Sequence, residues 1–326
     1  MPARRRQILL LLLLLFGAAW ANFSGAAYPS QPIKLVVGFA PGGQSTTIAR
    51  IVADRLTAMW EQSVVIDYRS GASGTIAADH VAKAHPDGYT LLLVAPANMT
   101  LASVLNPSLP YDPNRDFEPV GGIVHTPYAL AVRQSLPVRT VQELVEYARA
   151  NPGRLNFGST GYSSQSLLAA QIFACAAGID MVEIPYKGTA QAVADLVAGH
   201  IDLMFTDLPQ LGAPARAGTL RLIAATGSKR PAAAPDLPTL AEQGVPGAAI
   251  EPWQGLVAPD GTPPEVVAML KAALIEMLRD PKVRELLLGF GFEPFDNSRQ
   301  DLRTTIRTEI ETYKAIGKRV CVTAPR

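Results

Sequence analysis

Short apolar segments alternate with amphipathic helical segments from residue 33 almost to the end of the chain. In the first third, apolar runs predict buried strands at 33–38, 64–68 and 90–94. Between the first two strands, apolar side chains recur at helical spacing at Ile48, Ile51, Val52, Leu56 and Met59. Such alternation is typical of α/β architecture and argues against a helical bundle or a β-sandwich.

The second half of the chain continues the same alternation. Further strands are predicted at 155–158, 181–185, 203–205, 220–225 and 255–258. Three segments carry a hydroxyl residue with an acidic residue three positions later, which is the capping pattern of a helix start. These predicted helix starts are at Thr140, Thr262 and Ser298.

The N-terminus has the three parts of a secretory signal peptide. Arg4, Arg5 and Arg6 are followed by an apolar run at 8–16 and then by small residues. The run is short for a membrane span, although an uncleaved anchor is the alternative. We therefore predict that residues 1–26 are a signal peptide and that cleavage occurs near Ala21 or Ala26.

Charge and cysteine content restrict the partners of the mature chain. The whole chain has 29 basic and 28 acidic residues, and removal of the signal peptide takes away Arg4, Arg5 and Arg6 and no acid, which leaves a formal charge of −2. A nearly balanced charge argues against nucleic acid or an anionic membrane as the partner. Cys175 and Cys321 are the two cysteines, and they could pair in an oxidising compartment or remain separate thiols.

The length of the mature chain favours two domains. About 300 residues exceed the usual size of one hydrophobic core. No long flexible linker separates the halves, so we expect the chain to cross between domains at short extended segments near 125–127 and 251–252. The predicted division assigns 27–125 and 252–326 to a discontinuous first domain and 126–251 to a second. A cleft between them is the natural ligand site.

Two loops of small residues, at 39–46 and 158–164, each lead from a predicted strand into a helix. A helix N-terminus carries unpaired N–H groups and the positive end of the helix dipole, and glycine lets a ligand approach that backbone closely. Two such ends could hold one anion between them. The alternative is that both are ordinary strand-to-helix turns.

Catalytic and cofactor motifs are missing from the sequence. The nucleophile pattern G-x-S-x-G, the zinc pattern H-E-x-x-H and the nucleotide patterns G-x-x-x-x-G-K-[ST] and G-x-G-x-x-G do not occur. Asp195, Asp202 and Asp207 are the most suggestive acids, but a solvated or helix-capping role suits each of them. We predict no catalytic residue, no metal site and no cofactor.

A series of short motifs follows in order along the chain, at 28–34, 39–43, 71–74, 81–92, 111–113, 158–161, 185–188, 253–256 and 258–263. In this order and spacing the chain resembles the exported solute-binding proteins of tripartite tricarboxylate transporters, called Bug proteins, over 28–313. The resemblance implies a type II, Venus-flytrap periplasmic binding protein. It would be an α/β fold of two lobes, each a sheet flanked by helices, that close on a ligand.

The resemblance also implies where a small carboxylate binds. Family members hold its proximal end between two loops, through backbone groups, hydroxyls and bridging waters. The first loop would contribute Phe39, Ala40, Gly42, Gly43, Ser45 and Thr46. The second would contribute Ser159, Thr160, Gly161, Tyr162, Ser163 and Ser164. The distal end, where ligand identity is read, would be bordered by Ala97, Tyr186, Phe205, Thr206 and Asp207.

Thr46 and Ser166 depart from the family pattern, which usually has an aspartate and a histidine at these positions. An acid beside the pocket would pair with an amino group, so its loss favours a plain carboxylate over an amino acid. Lys187 could meet a second carboxylate or lie in a solvated turn. Trp253 is expected at the hinge rather than in the pocket wall.

The implied protein is a monomer in the periplasm that hands a small carboxylate to inner-membrane permease subunits of a tripartite transporter. One alternative is a sensing component that presents the bound acid to a receptor. A hydrolase on the same scaffold is a third alternative, against which the missing catalytic groups argue.

Overall fold

The computed structural model describes residues 28–161 and 164–318. Within these residues the chain forms eleven β-strands and ten α-helices. The strands are β1 (Ile33–Val37), β2 (Val64–Tyr68), β3 (Thr90–Val94), β4 (Phe117–His125), β5 (Tyr128–Arg133), β6 (Asn156–Ser159), β7 (Val182–Pro185), β8 (Leu203–Asp207), β9 (Leu220–Ala225), β10 (Trp253–Pro259) and β11 (Glu293–Pro294). The helices are α1 (Gln44–Trp60), α2 (Thr75–Ala82), α3 (Thr100–Leu105), α4 (Val141–Ala150), α5 (Gln165–Ala177), α6 (Thr189–Ala198), α7 (Leu208–Arg216), α8 (Pro264–Arg279), α9 (Pro281–Gly289) and α10 (Leu302–Lys318).

In the described part of the chain the strands form two sheets flanked by helices. The six-stranded sheet has the order β11-β4-β10-β3-β1-β2, and the five-stranded sheet has the order β7-β6-β8-β5-β9. Strands β1, β2 and β3 are parallel, and β10 runs antiparallel to both β3 and β4. In the second sheet β6, β7 and β8 are parallel, and β5 runs antiparallel to β8 and β9.

The chain passes between the sheets twice. It leaves the six-stranded sheet after β4 and enters the five-stranded sheet at β5, and it returns between β9 and β10. The two passages are hydrogen-bonded to each other, since the Thr126 N–H donates to the Pro252 carbonyl oxygen at 2.7 Å. On the return passage the Thr226 hydroxyl donates to the Ile250 carbonyl oxygen at 2.6 Å. The first of these bonds holds the passages side by side, and the second braces the return passage.

Strand direction brings the loop-bearing edges of both sheets to these passages. Because β4 is parallel to β3, the carboxyl ends of β1, β3 and β4 lie at one edge. Tyr128 pairs with Asp207, so β5 begins where β8 ends. Loops that follow parallel strands are the usual ligand sites of α/β sheets. The loops after β1 and β6 therefore lie at edges that border the passages.

Each sheet has its own buried core. On the six-stranded sheet, Ile48, Val52 and Leu56 of α1 pack with Leu270 and Met277 of α8 against the strands. Met59, predicted on the buried face of α1, is only half-buried. Each fully buried aliphatic side chain contributes about 1.5–3 kcal/mol to stability. The five-stranded sheet is covered on one face mainly by α4 and α5 and on the other by α6 and α7.

The last helix, α10, links the two cores. Its residues Leu302 and Ile306 pack on the six-stranded sheet, whereas Tyr313 joins the core beside α5. Between them, the Glu309 carboxylate accepts hydrogen bonds from the Thr100 hydroxyl at 2.6 Å, the Trp253 indole N–H at 3.1 Å and the Tyr313 hydroxyl at 2.7 Å. Burial raises the pKa of Glu309. Trp253 is thereby fixed at the junction of the two halves.

Several sequence predictions need correction. Strands β4 and β5 were not predicted. Of the three predicted helix starts, only Thr140 caps its helix, with its hydroxyl accepting from the Glu143 N–H at 3.1 Å. Pro263 and not Thr262 precedes α8, and the carboxylate of Asp301 and not the hydroxyl of Ser298 accepts from the first turn of α10. Cys175 is disulfide-bonded, and Cys321 lies outside the described residues.

Candidate functional site

The first loop lies at the carboxyl end of β1 and turns into α1. Gly42 has a φ of +94°, a left-handed conformation that glycine adopts without strain. Its N–H donates to the Thr46 hydroxyl oxygen at 3.0 Å, and Thr46 is buried. A Cβ added at Gly42 would meet no atom within 4 Å, so the backbone conformation and not lack of space requires glycine here. Thr46 thus holds the loop while Ala40, Gly42 and Gly43 stay exposed.

The N-terminus of α1 presents unsatisfied N–H groups. Gly43 is the N-cap, no side chain of the described residues caps the helix, and its first turn has no acidic residue. The N–H groups of Gln44 and Ser45 therefore lack a helical acceptor, and they lie at the positive end of the helix dipole. Together they offer a small anion hydrogen-bond donors and a favourable potential.

The second loop follows β6 and satisfies more of its own polar groups. The Thr160 N–H donates to the Ser166 hydroxyl at 3.0 Å, and the Ser164 hydroxyl caps α5 by accepting from the Leu167 N–H at 3.2 Å. The Ser159 hydroxyl donates to the Glu183 carboxylate. Gly161 has a φ of +98° with open space around it. Tyr162 and Ser163 lie outside the described residues.

Both helices that follow these loops begin with a glutamine, which the sequence analysis missed. The Gln44 amide donates to the Thr126 hydroxyl in the first passage between the sheets. Both amide atoms of Gln165 are buried and have no hydrogen-bond partner among the described residues. Buried polar groups normally find a partner, so the Gln165 amide is available to a bound ligand. The sequence signal that could have identified these residues is a glutamine at the first helical position after each loop.

The loops that follow β2 and β3 of the six-stranded sheet contact the first loop. A Cβ added at Gly74 would lie 3.3 Å from the Phe39 ring and 3.1 Å from the Asn98 side chain. Asn98 is fully buried, and its Oδ1 accepts from the Ala95 N–H at 2.8 Å, while its Nδ2 has no partner among the described residues. Ala97 lies half-buried in the same short helix, Pro96–Asn98. The structure therefore brings Phe39 and the Ala97 segment together.

The residues predicted at the distal end differ in what they offer a ligand. The Tyr186 hydroxyl donates its proton to the Asp195 carboxylate at 2.8 Å, and burial together with this bond raises the pKa of Tyr186 to about 12. Thr206 is buried in β8. Phe205 is fully buried and packs on Phe173 with ring centroids 5.5 Å apart, so its position does not support a contact with ligand.

Asp207 ends β8 at the edge that borders the passages. Burial raises its pKa to about 6, against the opposing effect of a hydrogen bond from the Gln210 amide at 2.7 Å. The carboxyl group is thus half-protonated near pH 6 and mostly ionised at pH 7. Lys187 is exposed and has no ion pair among the described residues.

In the described residues no hydrogen bond joins a histidine ring to a serine hydroxyl. The His125 ring is hydrogen-bonded to Gln300 at 2.9 Å, and the His200 ring contacts Asp195 at 3.3 Å. Across the same residues, no group of three His, Cys, Asp or Glu side chains is arranged to hold a metal ion. None of the described helices combines the length and apolarity needed to cross a membrane.

Comparison with known proteins identifies the family. The model of the tripartite tricarboxylate transporter family receptor matches residues 48–322. The Bordetella pertussis protein BugT is 33% identical over 297 residues, which cover 91% of this chain and 91% of BugT.

Two solved structures from Rhodopseudomonas palustris share the architecture. Rpa4515 with adipate has a TM-score of 0.76 and 37% identity, covering 89% of this chain and 97% of that one. MatC with bound malate has a TM-score of 0.74 and 31% identity, covering 89% and 99%. With two sheets flanked by helices and a family match over most of its length, this chain belongs to the receptor family of tripartite tricarboxylate transporters, which are periplasmic solute-binding proteins.

Proposed function

We propose that this protein captures a small organic acid in the periplasm, between its two sheets, and delivers it to the permease subunits of a tripartite transporter. One carboxylate of the ligand binds at the N-terminus of α1, on the loop that contains Gly42, Gly43 and Ser45. The uncapped helix end carries this proposal, because α1 lacks both a side-chain cap and an acidic residue in its first turn. An anion in this position completes the hydrogen bonding of the helix.

The second loop covers the same carboxylate from the opposite side. Ser159, Thr160, Gly161 and Ser164 already bond within the loop, so their contacts to ligand run through remaining lone pairs and waters. Gln165 supplies an amide that has no other partner in the described residues. Tyr162 and Ser163 complete the proposed loop.

A dicarboxylate suits this arrangement. Relatives bound to adipate and malate are 37% and 31% identical to this chain, and both ligands carry two carboxyl groups. The second carboxyl group would reach the edge bordered by Ala97, Tyr186, Thr206 and Asp207. Below about pH 6 a protonated Asp207 donates a hydrogen bond to that group, whereas at higher pH an ionised Asp207 repels it.

The proposed binding motion closes two lobes, 27–125 with 252–326 and 126–251. The support is that strands β5 to β9 all fall in the second segment and the other six strands in the first. Residues 1–26 direct export and are removed. The protein acts as a monomeric receptor and not as an enzyme.

Thermal unfolding with a panel of ligands tests the proposal. The panel contains mono-, di- and tricarboxylates, with a sugar and lysine as non-carboxylate controls. A ligand present at 100 times its dissociation constant stabilises the fold by about 2.7 kcal/mol, which is a clear shift of the melting temperature. Stabilisation by a sugar or by lysine, with no effect of any organic acid, would reject carboxylate binding.

A pair of glycine variants tests the second loop. Gly161 and Gly153 both have positive φ and open space around them, but Gly153 lies in a turn away from the proposed site. Gly161→Val and Gly153→Val therefore carry similar backbone strain, about 1–2 kcal/mol. We expect only Gly161→Val to lose the ligand-induced shift. Equal shifts in both variants would show that Gly161 does not approach the ligand.

A further inference from the structure

Three large apolar side chains are exposed close together at the end of α9. Leu286, Leu288 and Phe290 are 47%, 46% and 48% exposed, whereas Val283 and Leu287 of the same helix face the core. The other large exposed apolar side chains of the described residues, such as Met269 at 42%, are separated along the chain. Single exposed apolar residues are ordinary, but a contiguous patch marks an interaction surface. We call Leu286, Leu288 and Phe290 the α9 patch.

A groove opens on each side of the α9 patch, and Phe290 forms part of both. The first has a volume of about 390 Å³, lies between α1 and α9, and is lined by Ile51, Val283 and Leu286. The second has a volume of about 510 Å³, lies between α7 and the end of α9, and is lined by Leu208, Leu222 and Leu288. Phe290 thus joins the two grooves, with Leu286 in the first and Leu288 in the second.

The rim of this surface is basic. Arg50 and Lys282 border the first groove and Arg216 borders the second, and all three are exposed without an ion pair among the described residues. Arg55 also lines the first groove, but it is paired with Asp280. Asp54 is the one acid among the residues that line the two grooves. Unpaired positive charge around an apolar centre fits a partner with acidic side chains around an apolar segment.

We propose that the α9 patch and its two grooves are the docking surface for the integral-membrane permease, which presents an apolar segment flanked by acidic residues on its periplasmic side. This proposal rests on the proposed function, since it locates the contact through which the captured acid is delivered. A second copy of this chain is a poor occupant. A two-fold symmetric contact on this patch would bring its own basic rims together.

The second groove belongs to both halves of the molecule. Leu208 and Pro209 follow β8 of the five-stranded sheet, whereas Leu288 and Phe290 adjoin β11 of the six-stranded sheet. The two walls touch, because a Cβ added at Gly291 would lie 2.2 Å from the Pro209 ring. A partner seated in this groove therefore contacts both halves at once, and its fit depends on their relative position.

Photo-crosslinking in the native host tests the docking surface. The crosslinking amino acid p-benzoylphenylalanine replaces Phe290 in one strain and Met269, exposed on α8, in a control strain. Leu286→Glu and Lys282→Glu are each combined with the crosslinker at position 290. We expect position 290 to form an adduct with a multi-spanning membrane protein, position 269 to form none, and each variant to lower the adduct yield about tenfold or more.

Four outcomes would overturn the docking proposal. They are an adduct between two copies of this chain, an adduct with a soluble protein, no adduct at position 290, and a yield that the two variants leave unchanged. Thermal unfolding with the same panel of mono-, di- and tricarboxylates separates this result from the proposed function. If the unmodified protein responds to no carboxylate, the proposed function fails whatever the crosslinking result. If the variants keep the carboxylate response and lose the adduct, both proposals stand.

Discussion

Introducing a negative charge at position 46 should weaken carboxylate binding while leaving the fold intact. The Thr46 hydroxyl accepts from the Gly42 N–H at 3.0 Å, and an aspartate at this position can accept the same bond. Asp and Thr are both good residues at helix N-termini, and the helix dipole favours an acid there by about 0.3–1 kcal/mol. This gain offsets part of the cost of burying the charge, so we expect Thr46→Asp to stay folded with a modest loss in the free energy of unfolding.

The effect on ligand affinity has the opposite sign. A ligand carboxylate held by the N–H groups of Gln44 and Ser45 would lie about 6 Å from the new charge. At an effective dielectric constant near 20, Coulomb's law gives about 2.8 kcal/mol of repulsion, which is about a hundredfold in affinity. Solvent lowers this figure, so a loss between about tenfold and a hundredfold is expected. Added salt should restore part of it.

Isothermal titration of the carboxylate that stabilises the unmodified protein measures this effect. Thr46→Asn is the matched control, because asparagine keeps the size and the acceptor oxygen without the charge. We expect Thr46→Asn to stay within a few-fold of the unmodified affinity. Equal or tighter binding by Thr46→Asp would refute either the position of the carboxylate or the absence of an amino group on the ligand.

Three further predictions concern stability. Gly42→Ala should lower the free energy of unfolding by about 1–2 kcal/mol because φ is +94° there. Gly43→Ala should leave the free energy of unfolding nearly unchanged, because φ is −90° there and a Cβ has room. Chemical denaturation measures both variants. Because burial raises the pKa of Asp207 to about 6, its contribution to stability is complete below about pH 4 and is lost as pH rises through 6. Asp207→Asn should therefore flatten the pH dependence of unfolding in that range, and an unchanged profile would contradict the pKa shift. Glu309→Ala removes the acceptor of three donors and should lower the melting temperature far more than Glu309→Gln does, as calorimetry would detect.

The sequence predicts β1 to β3 and β6 to β10 but misses β4 and β5, and β4 is a long strand that contains residues unfavourable to strands. Strand β4 includes Pro119, Gly121 and Gly122, which argue against a strand when only the chain itself is considered. In the structure the ring of Phe295 occupies the space beside Gly122, and a Cβ there would lie 2.2 Å from it. The Asn297 side chain bonds both the N–H and the carbonyl of Gly122, at 2.9 and 2.8 Å. Both partners are about 175 positions away, beyond the reach of a local pattern.

The residues of the candidate site likewise divide into those that local sequence predicts and those that depend on distant parts of the chain. Glycines at positive φ and the two strand-to-helix loops are local features, so the sequence predicts Gly42 and Gly161. The tertiary environment of a strand residue is not local, and Phe205 was predicted at the ligand although it packs on Phe173. Likewise, the unpartnered amide of Gln165 is evident only once its surroundings are known.

The position of β10 has a consequence for how the chain folds after export. Residues Trp253–Pro259 form the strand between β3 and β4, so the middle of the six-stranded sheet comes from the last third of the chain. Strands β5 to β9 come from one uninterrupted stretch. As the chain emerges N-terminus first, the five-stranded half can assemble while β1 to β4 still lack their central neighbour. The first strands synthesised are thus completed last, and until β10 arrives their edges are open to pairing with other chains.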